Sequence, residues 1–230
     1  MRDKVRLLGR EARAWAKQGA LIARGARRPR QAPVGAPRVV VFVHGYGAAG
    51  PVFEPLRDHV ERTLAVPTVD FTYRSLSGFS KVARDLADHV DRAAGRHARV
   101  DLVGHSLGGL VARWYVQELG GAGRVERVVT LATPHAGTRS ARIAPGPMRH
   151  ALAPDGAIVR RLHRGRRRAG DVAHTALVAG RDLLVTPPAS AAAIEDARVR
   201  WFEDVGHNGM LFEPAVHDAV VDALGTSGDD

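Results

Sequence analysis

A chain of 230 residues, 45% of them hydrophobic, is long enough for one well-packed core, short for two, and too apolar to be disordered throughout. It holds no cysteine, which excludes disulfides, thiolate zinc sites and a cysteine nucleophile. Its net charge of +10 is unevenly placed: residues 1–30 carry ten Lys+Arg against two Asp+Glu, residues 139–168 carry nine Arg against one Asp, and the rest is mildly acidic.

The first segment, residues 1–37, reads as a basic amphipathic helix followed by a linker containing Pro29, Pro33, Gly35 and Pro37. Val5, Leu8, Ala12, Trp15 and Ile22 fall on one helical face, among Arg2, Lys4, Arg6, Arg10, Arg13, Lys17 and Arg24. Such a face either packs on the protein's own core or lies at an anionic membrane surface. Charged residues interrupt every apolar run before Val39, and no later run is long enough to span a bilayer. The expectation is a cytoplasmic protein without a signal peptide, in which peripheral contact with the inner membrane face would run through residues 1–30. Nucleic acid is not an expected partner, because the Arg-rich segments lack interleaved aromatics and the body is acidic.

From Arg38 onward, strand-like and helix-like segments alternate. Residues 39–43 are a continuous apolar run, as in a strand buried on both faces. Residues 66–73 are rich in β-branched and aromatic side chains, and residues 79–94 carry Phe79, Val82, Ala83, Leu86 and Val90 at helical spacing. A short strand at 100–103 leads into a helix at 107–119 that ends at Gly120-Gly121. Residues 125–132, 173–179 and 199–205 are further strands, and 209–224 is a closing helix. This alternation predicts one α/β domain over 38–230, with a mostly parallel sheet and helices on both faces. Residues 138–171, rich in Arg, Ala, Gly and Pro (Pro145, Pro147 and Pro154 among them), interrupt it as an insertion.

The strongest chemical signal is Gly104-His105-Ser106-Leu107-Gly108-Gly109, set between a strand and a helix. A sharp strand–turn–helix needs near-absent side chains around the serine, lifts its hydroxyl at the sheet edge, and aims the Leu107 N–H at a developing oxyanion. After the 39–43 strand comes His44-Gly45-Tyr46-Gly47, whose Tyr46 N–H is the candidate second oxyanion donor, with His44 a loop histidine rather than a base. A serine needs an imidazole to take its proton and a carboxylate to orient that imidazole, following in the order acid then His. Asp182, in Gly180-Arg181-Asp182, follows a strand; His207, in Gly206-His207-Asn208-Gly209, precedes the last helix. Asp204 is the second choice of acid, and Asp171 and Asp196 read as solvated. His135, in Thr133-Pro134-His135-Ala136-Gly137-Thr138, precedes the acid and takes a structural or rim role. His44, Gly45, His105 and His135 are the candidate substrate-binding or rim residues. The other histidines, among them His97, His174 and His217, read as surface residues.

Together these motifs, from about Arg38 to Leu224, resemble bacterial triacylglycerol lipases and esterases of the α/β-hydrolase superfamily. The resemblance implies a compact core of about six strands, acyl-ester substrates, and a lid position in the insertion after Thr138. The leading expectation is ester hydrolysis through an acyl-enzyme on Ser106, with Asp182 and His207 completing the triad and no metal or organic cofactor required. An acyltransferase or thioesterase would use the same triad, and a non-catalytic binding protein would use the same scaffold.

Overall fold

The computed structural model describes residues 2–25, 32–95, 98–143, 146 and 148–225. Pro29, His97, Pro145 and Pro147 lie outside them, as does the side chain of Val5. Six strands, β1 (Arg38–Val43), β2 (Thr68–Phe71), β3 (Arg99–His105), β4 (Val125–Leu131), β5 (Ala173–Ala179) and β6 (Arg198–Phe202), make one sheet in the order β2-β1-β3-β4-β5-β6. Every neighbouring pair is parallel. Successive side chains of a strand point to opposite faces, and β1 shows it: Val39, Val41 and Val43 join one apolar cluster, Val40 and Phe42 the other. Helices α3 (Phe79–Ala94) and α4 (Leu107–Glu118) cover the first face. Helices α2 (Glu54–Leu64) and α7 (Pro214–Gly225) cover the second.

The chain runs outward from β1 to β2, then returns to start β3 on the other side of β1. The crevice at the carboxyl ends of β1 and β3 is therefore the point where the winding reverses, which is where open α/β sheets place their ligands. Register pairs Val43 with Gly104. The loops after both strands thus emerge side by side.

The alternation is as the sequence predicts, with three differences. Helix α2 has no counterpart among the expected elements. The strand expected over 199–205 stops at Phe202, and the closing helix is a 3-10 turn (Gly209–Leu211) followed by α7 starting at Pro214. Proline has no N–H to donate and its fixed φ suits the first helical position, so the new helix begins there.

The N-terminal helix α1 (Arg2–Arg24) packs on the second face near α2 and the 3-10 turn, but not through the predicted stripe. Its buried positions are Glu11, Ala14, Gln18 and Leu21, while Leu8, Ala12 and Trp15 are exposed and Ile22 is half-buried. Arg24 pairs with Glu54 at 3.1 Å, and the Lys17 ammonium sits 4.6 Å from the Phe212 ring centre.

The insertion carries two short helices, α5 (Met148–Leu152) and α6 (Ala157–Arg164). Val159 and Leu162 are buried, and the Glu118 carboxylate at the end of α4 binds Arg161 at 2.7 Å and Arg168 at 2.8 Å. Part of the basic charge of the insertion is thereby tied to the body. Among the described residues, no helix is long and apolar enough to cross a membrane.

Candidate active site

Ser106 occupies the turn between β3 and α4 with φ 54° and ψ −122°. A left-handed backbone at a residue with a side chain costs about 1–3 kcal/mol and persists only where its surroundings over-determine it. Here the Ser106 N–H donates to Leu131 O at 2.9 Å, and the Gly109 N–H donates to Ser106 O at 3.1 Å. A Cβ at Gly104 would lie 2.6 Å from the Gly109 backbone, and one at Gly108 would collide with the Val43 carbonyl. Helix and strand approach this closely only because both residues are glycine. Leu107 is the first residue of α4, so its N–H has no intrahelical acceptor and stands at the positive end of the helix dipole.

The loop after β1 lies against this turn. A Cβ at Gly45 would be 3.1 Å from both Ser106 Cβ and His105 Nδ1, a tight contact that the Ser106 turn could accept only by shifting a few tenths of an ångström. The Gly47 N–H donates to Ser75 Oγ at 2.8 Å and the Ala48 N–H to Gly45 O at 3.3 Å, and Tyr46 lines the pocket beside Ser106.

Asp182 and His207 meet as a buried pair. The distance from His207 Nδ1 to Asp182 Oδ2 is 2.7 Å, and the two side chains are 4% and 1% exposed. The second oxygen of Asp182 accepts the N–H groups of Leu184 at 2.8 Å and Val185 at 2.7 Å, which fixes the carboxylate. A carboxylate only accepts, so Nδ1 is the donor in this bond, and in the neutral ring the lone pair is then on Nε2. Asp204, the second-choice acid, is 78% exposed and pairs with Arg181 instead.

Among the described residues five other histidines are buried, and burial pushes each away from the charged form. His44 stacks on Tyr73 at 4.1 Å, accepts the Tyr73 N–H at Nε2 (3.1 Å) and donates from Nδ1 to Gly45 O (2.8 Å). Its pKa falls to about 4 by desolvation. It braces the loop from below and is not at the rim. His105, held well below the usual value by burial, places Nε2 3.1 Å from the His207 carbonyl and does line the pocket. His135 corrects the rim expectation: it is fully buried, with Nδ1 facing Arg113 Nη1 and Nε2 facing Thr130 Oγ1, both at 3.0 Å. Burial and the Arg113 charge keep it neutral. His174 and His217, expected at the surface, are 4% and 8% exposed.

Ser106 and His207 open into one pocket of about 240 Å³. Gly45, Tyr46 and His105 contribute to its wall, whereas His44 and His135 do not. The sequence reading missed Trp15, Gln18, Leu152, Leu184, Val185 and Asn208, which also line it. They come from α1, the insertion and the loop after Asp182, segments without a motif of their own; Asn208 was in view only as the neighbour of His207. Among the described residues, no group of three or more His, Asp or Glu side chains is arranged to hold a metal ion.

Residues 2–145 match the family model described as a domain of unknown function, DUF7379. Among solved structures, Aspergillus fumigatus lipase B is similar with a TM-score of 0.74 at 18% identity, over 86% of this chain and 56% of that one. The chain thus spans little more than half the length of that lipase. The mature Bacillus licheniformis lipase BlEst2 gives 0.64 at 16% identity over 84% and 95% of the two chains. A Pseudomonas aeruginosa hydrolase gives 0.61 at 15% over 86% and 93%. At these identities the likeness establishes the fold, which is the α/β-hydrolase fold.

Proposed function

This chain belongs to DUF7379, a family described only as a domain of unknown function, and from that starting point we propose that it is a lipase/esterase-type serine hydrolase cleaving carboxylic esters. The observation that carries the reading is the buried 2.7 Å Asp182–His207 bond, whose histidine lines the same pocket as the strained Ser106 turn. A structural ion pair has no need of such a neighbour. The resemblance to bacterial triacylglycerol lipases and esterases points the same way.

In this mechanism His207 Nε2 takes the Ser106 hydroxyl proton as Oγ attacks the ester carbonyl. Asp182 holds the ring in the required tautomer and stabilises the imidazolium that forms. The N–H groups of Leu107 and Tyr46 receive the oxyanion. The imidazolium then protonates the departing alcohol, leaving the acyl group on Ser106. Water, deprotonated by His207 in turn, releases the acid and restores the serine. The largely apolar wall, with Trp15, Leu152, Leu184 and Val185, suits an acyl chain.

Ser106→Ala tests this directly. Hydrolysis of a short p-nitrophenyl ester is expected to fall to the residue left by the oxyanion site and binding, roughly 10³–10⁴-fold above the uncatalysed reaction. Labelling by a fluorophosphonate is expected to disappear with an unchanged melting transition. A Ser106→Ala protein that keeps the wild-type rate on the ester sinks the reading.

A further inference from the structure

Residues 1–30 contain only two acids, and one of them, Glu11, is 9% exposed in an otherwise basic helix. Its carboxylate crosses to the loop that carries His207, 197 residues along the chain. Oε2 accepts the Asn208 N–H at 3.1 Å, and Oε1 accepts the Gly209 N–H at 2.9 Å. These amides stand at the start of the 3-10 turn Gly209–Leu211, where backbone donors have no partner within the turn. A carboxylate there satisfies both donors and complements the positive end of the turn. The chain makes room for it: a Cβ on Gly206 would collide with the Glu11 carboxylate.

His207 is therefore held from three directions. Asp182 holds its ring, His105 Nε2 lies 3.1 Å from its carbonyl, and Glu11 binds the two amides that follow it. Helix α1 has anchors away from this loop, in buried Leu21 and the Arg24–Glu54 pair. It also reaches the substrate pocket, where Trp15 and Gln18 form part of the wall.

We propose that Glu11 is a positioning residue of the active site, delivered by α1, which sets the backbone of the His207 loop so that the imidazole stays aligned between Asp182 and Ser106. The inference rests on the reading of His207 as the catalytic base. A group acting this way changes the rate at each site, not the number of sites and not the affinity for substrate. Misplacement of a catalytic group by about 1 Å costs up to about 100-fold in rate.

The test uses the full chain with Glu11→Ala, Glu11→Gln and, as a control, Arg24→Ala. The control loosens α1 at its far end without touching the loop. Each is assayed for kcat and KM on p-nitrophenyl butyrate, and for both the rate and the final extent of fluorophosphonate labelling. Glu11→Ala is expected to lower kcat by about 10- to 100-fold, with KM near wild type and every molecule still labelling, only more slowly. Glu11→Gln, which keeps one acceptor oxygen of the same reach, is expected to fall between Glu11→Ala and wild type, and Arg24→Ala to keep the wild-type kcat. If Glu11→Ala does not fold, the isosteric Glu11→Gln carries the comparison alone. The proposal is overturned if Glu11→Gln and every folded Glu11 variant keep the wild-type kcat. It is equally overturned if activity falls only in proportion to the fraction of molecules that label, or if Arg24→Ala loses as much. A wild-type chain that does not label at all defeats the reading of Ser106 itself, which is a separate result from any of these.

Discussion

The Asp182 carboxylate is fully engaged, by the His207 ring on one oxygen and by two backbone N–H groups on the other. Asp182→Asn keeps the shape but presents an amide that can donate to Nδ1, favouring the wrong tautomer, and the expected loss in kcat is roughly 10⁴-fold. Asp204→Asn, at an exposed site paired with Arg181, is expected to keep kcat within a factor of two or so of wild type, as surface substitutions do. Steady-state kinetics on one ester rank the two, and the reverse order would make Asp204 the acid. This choice was legible in the sequence because Asp182 follows a strand directly. The depth of His135 was not: its partner Arg113 lies on α4, 22 residues away, and nothing in Thr133-Pro134-His135 announces that pairing. Glu11 left one faint mark, an acid among basic residues.

At the scale of the element, patterns of apolar residues located β1, α3 and β5 almost to the residue. They failed where polar side chains are buried by pairing. Helix α2 buries Arg57 alongside Leu56 and Val60, because the guanidinium donates to Thr68 Oγ1 and to the Thr68 carbonyl and pairs with Asp70. A hydrophobic stripe is all that periodicity detects, so α2 carried too little signal. Helix α1 itself is where the sequence puts it, but its buried face differs for the same reason, since two of its inward positions are Glu11 and Gln18. The insertion is an element whose attachment is testable. One carboxylate, Glu118, holds both Arg161 and Arg168, whose side chains are about half exposed. Glu118→Gln is expected to cost on the order of 1 kcal/mol, seen as a fall of about 2–4 °C in the melting midpoint for a chain of this size. An unchanged midpoint would mean that the Glu118 pairs contribute nothing to holding α6, which is then left to its buried side chains and its bonds to Arg113 and His135.

Across the whole molecule, the fold buries several imidazoles whose charged form burial disfavours. The pKa of His44 falls to about 4 and that of His174 to about 3, while His105 and His135 lie well below 6.5, burial being the largest cause in each. A base whose folded pKa is lowered binds its proton more readily in the unfolded chain. Its contribution to stability is complete above the unfolded value near 6.5, and is lost as pH falls from there toward the folded value. Asp101, raised by burial, opposes this at the acid end with the opposite sign. The denaturant midpoint is expected to hold between pH 7 and 8 and to decline steadily from about pH 6.5 to pH 4.5. A midpoint that is flat over that lower range would show these histidines to be solvated.

The bond between Glu11 and the His207 loop also has a consequence in time. A ribosome delivers Glu11 early and Asn208 almost two hundred residues later, so α1 must wait for its acceptor until β6 has been made. Contacts between residues so far apart in sequence are slow to form, because a long loop must close before they are gained. On the proposed mechanism, a nascent chain that has completed the Ser106 turn has a nucleophile without a seated base. Hydrolytic competence is then acquired only once the segment that carries His207 and Asn208 has been made and has met Glu11.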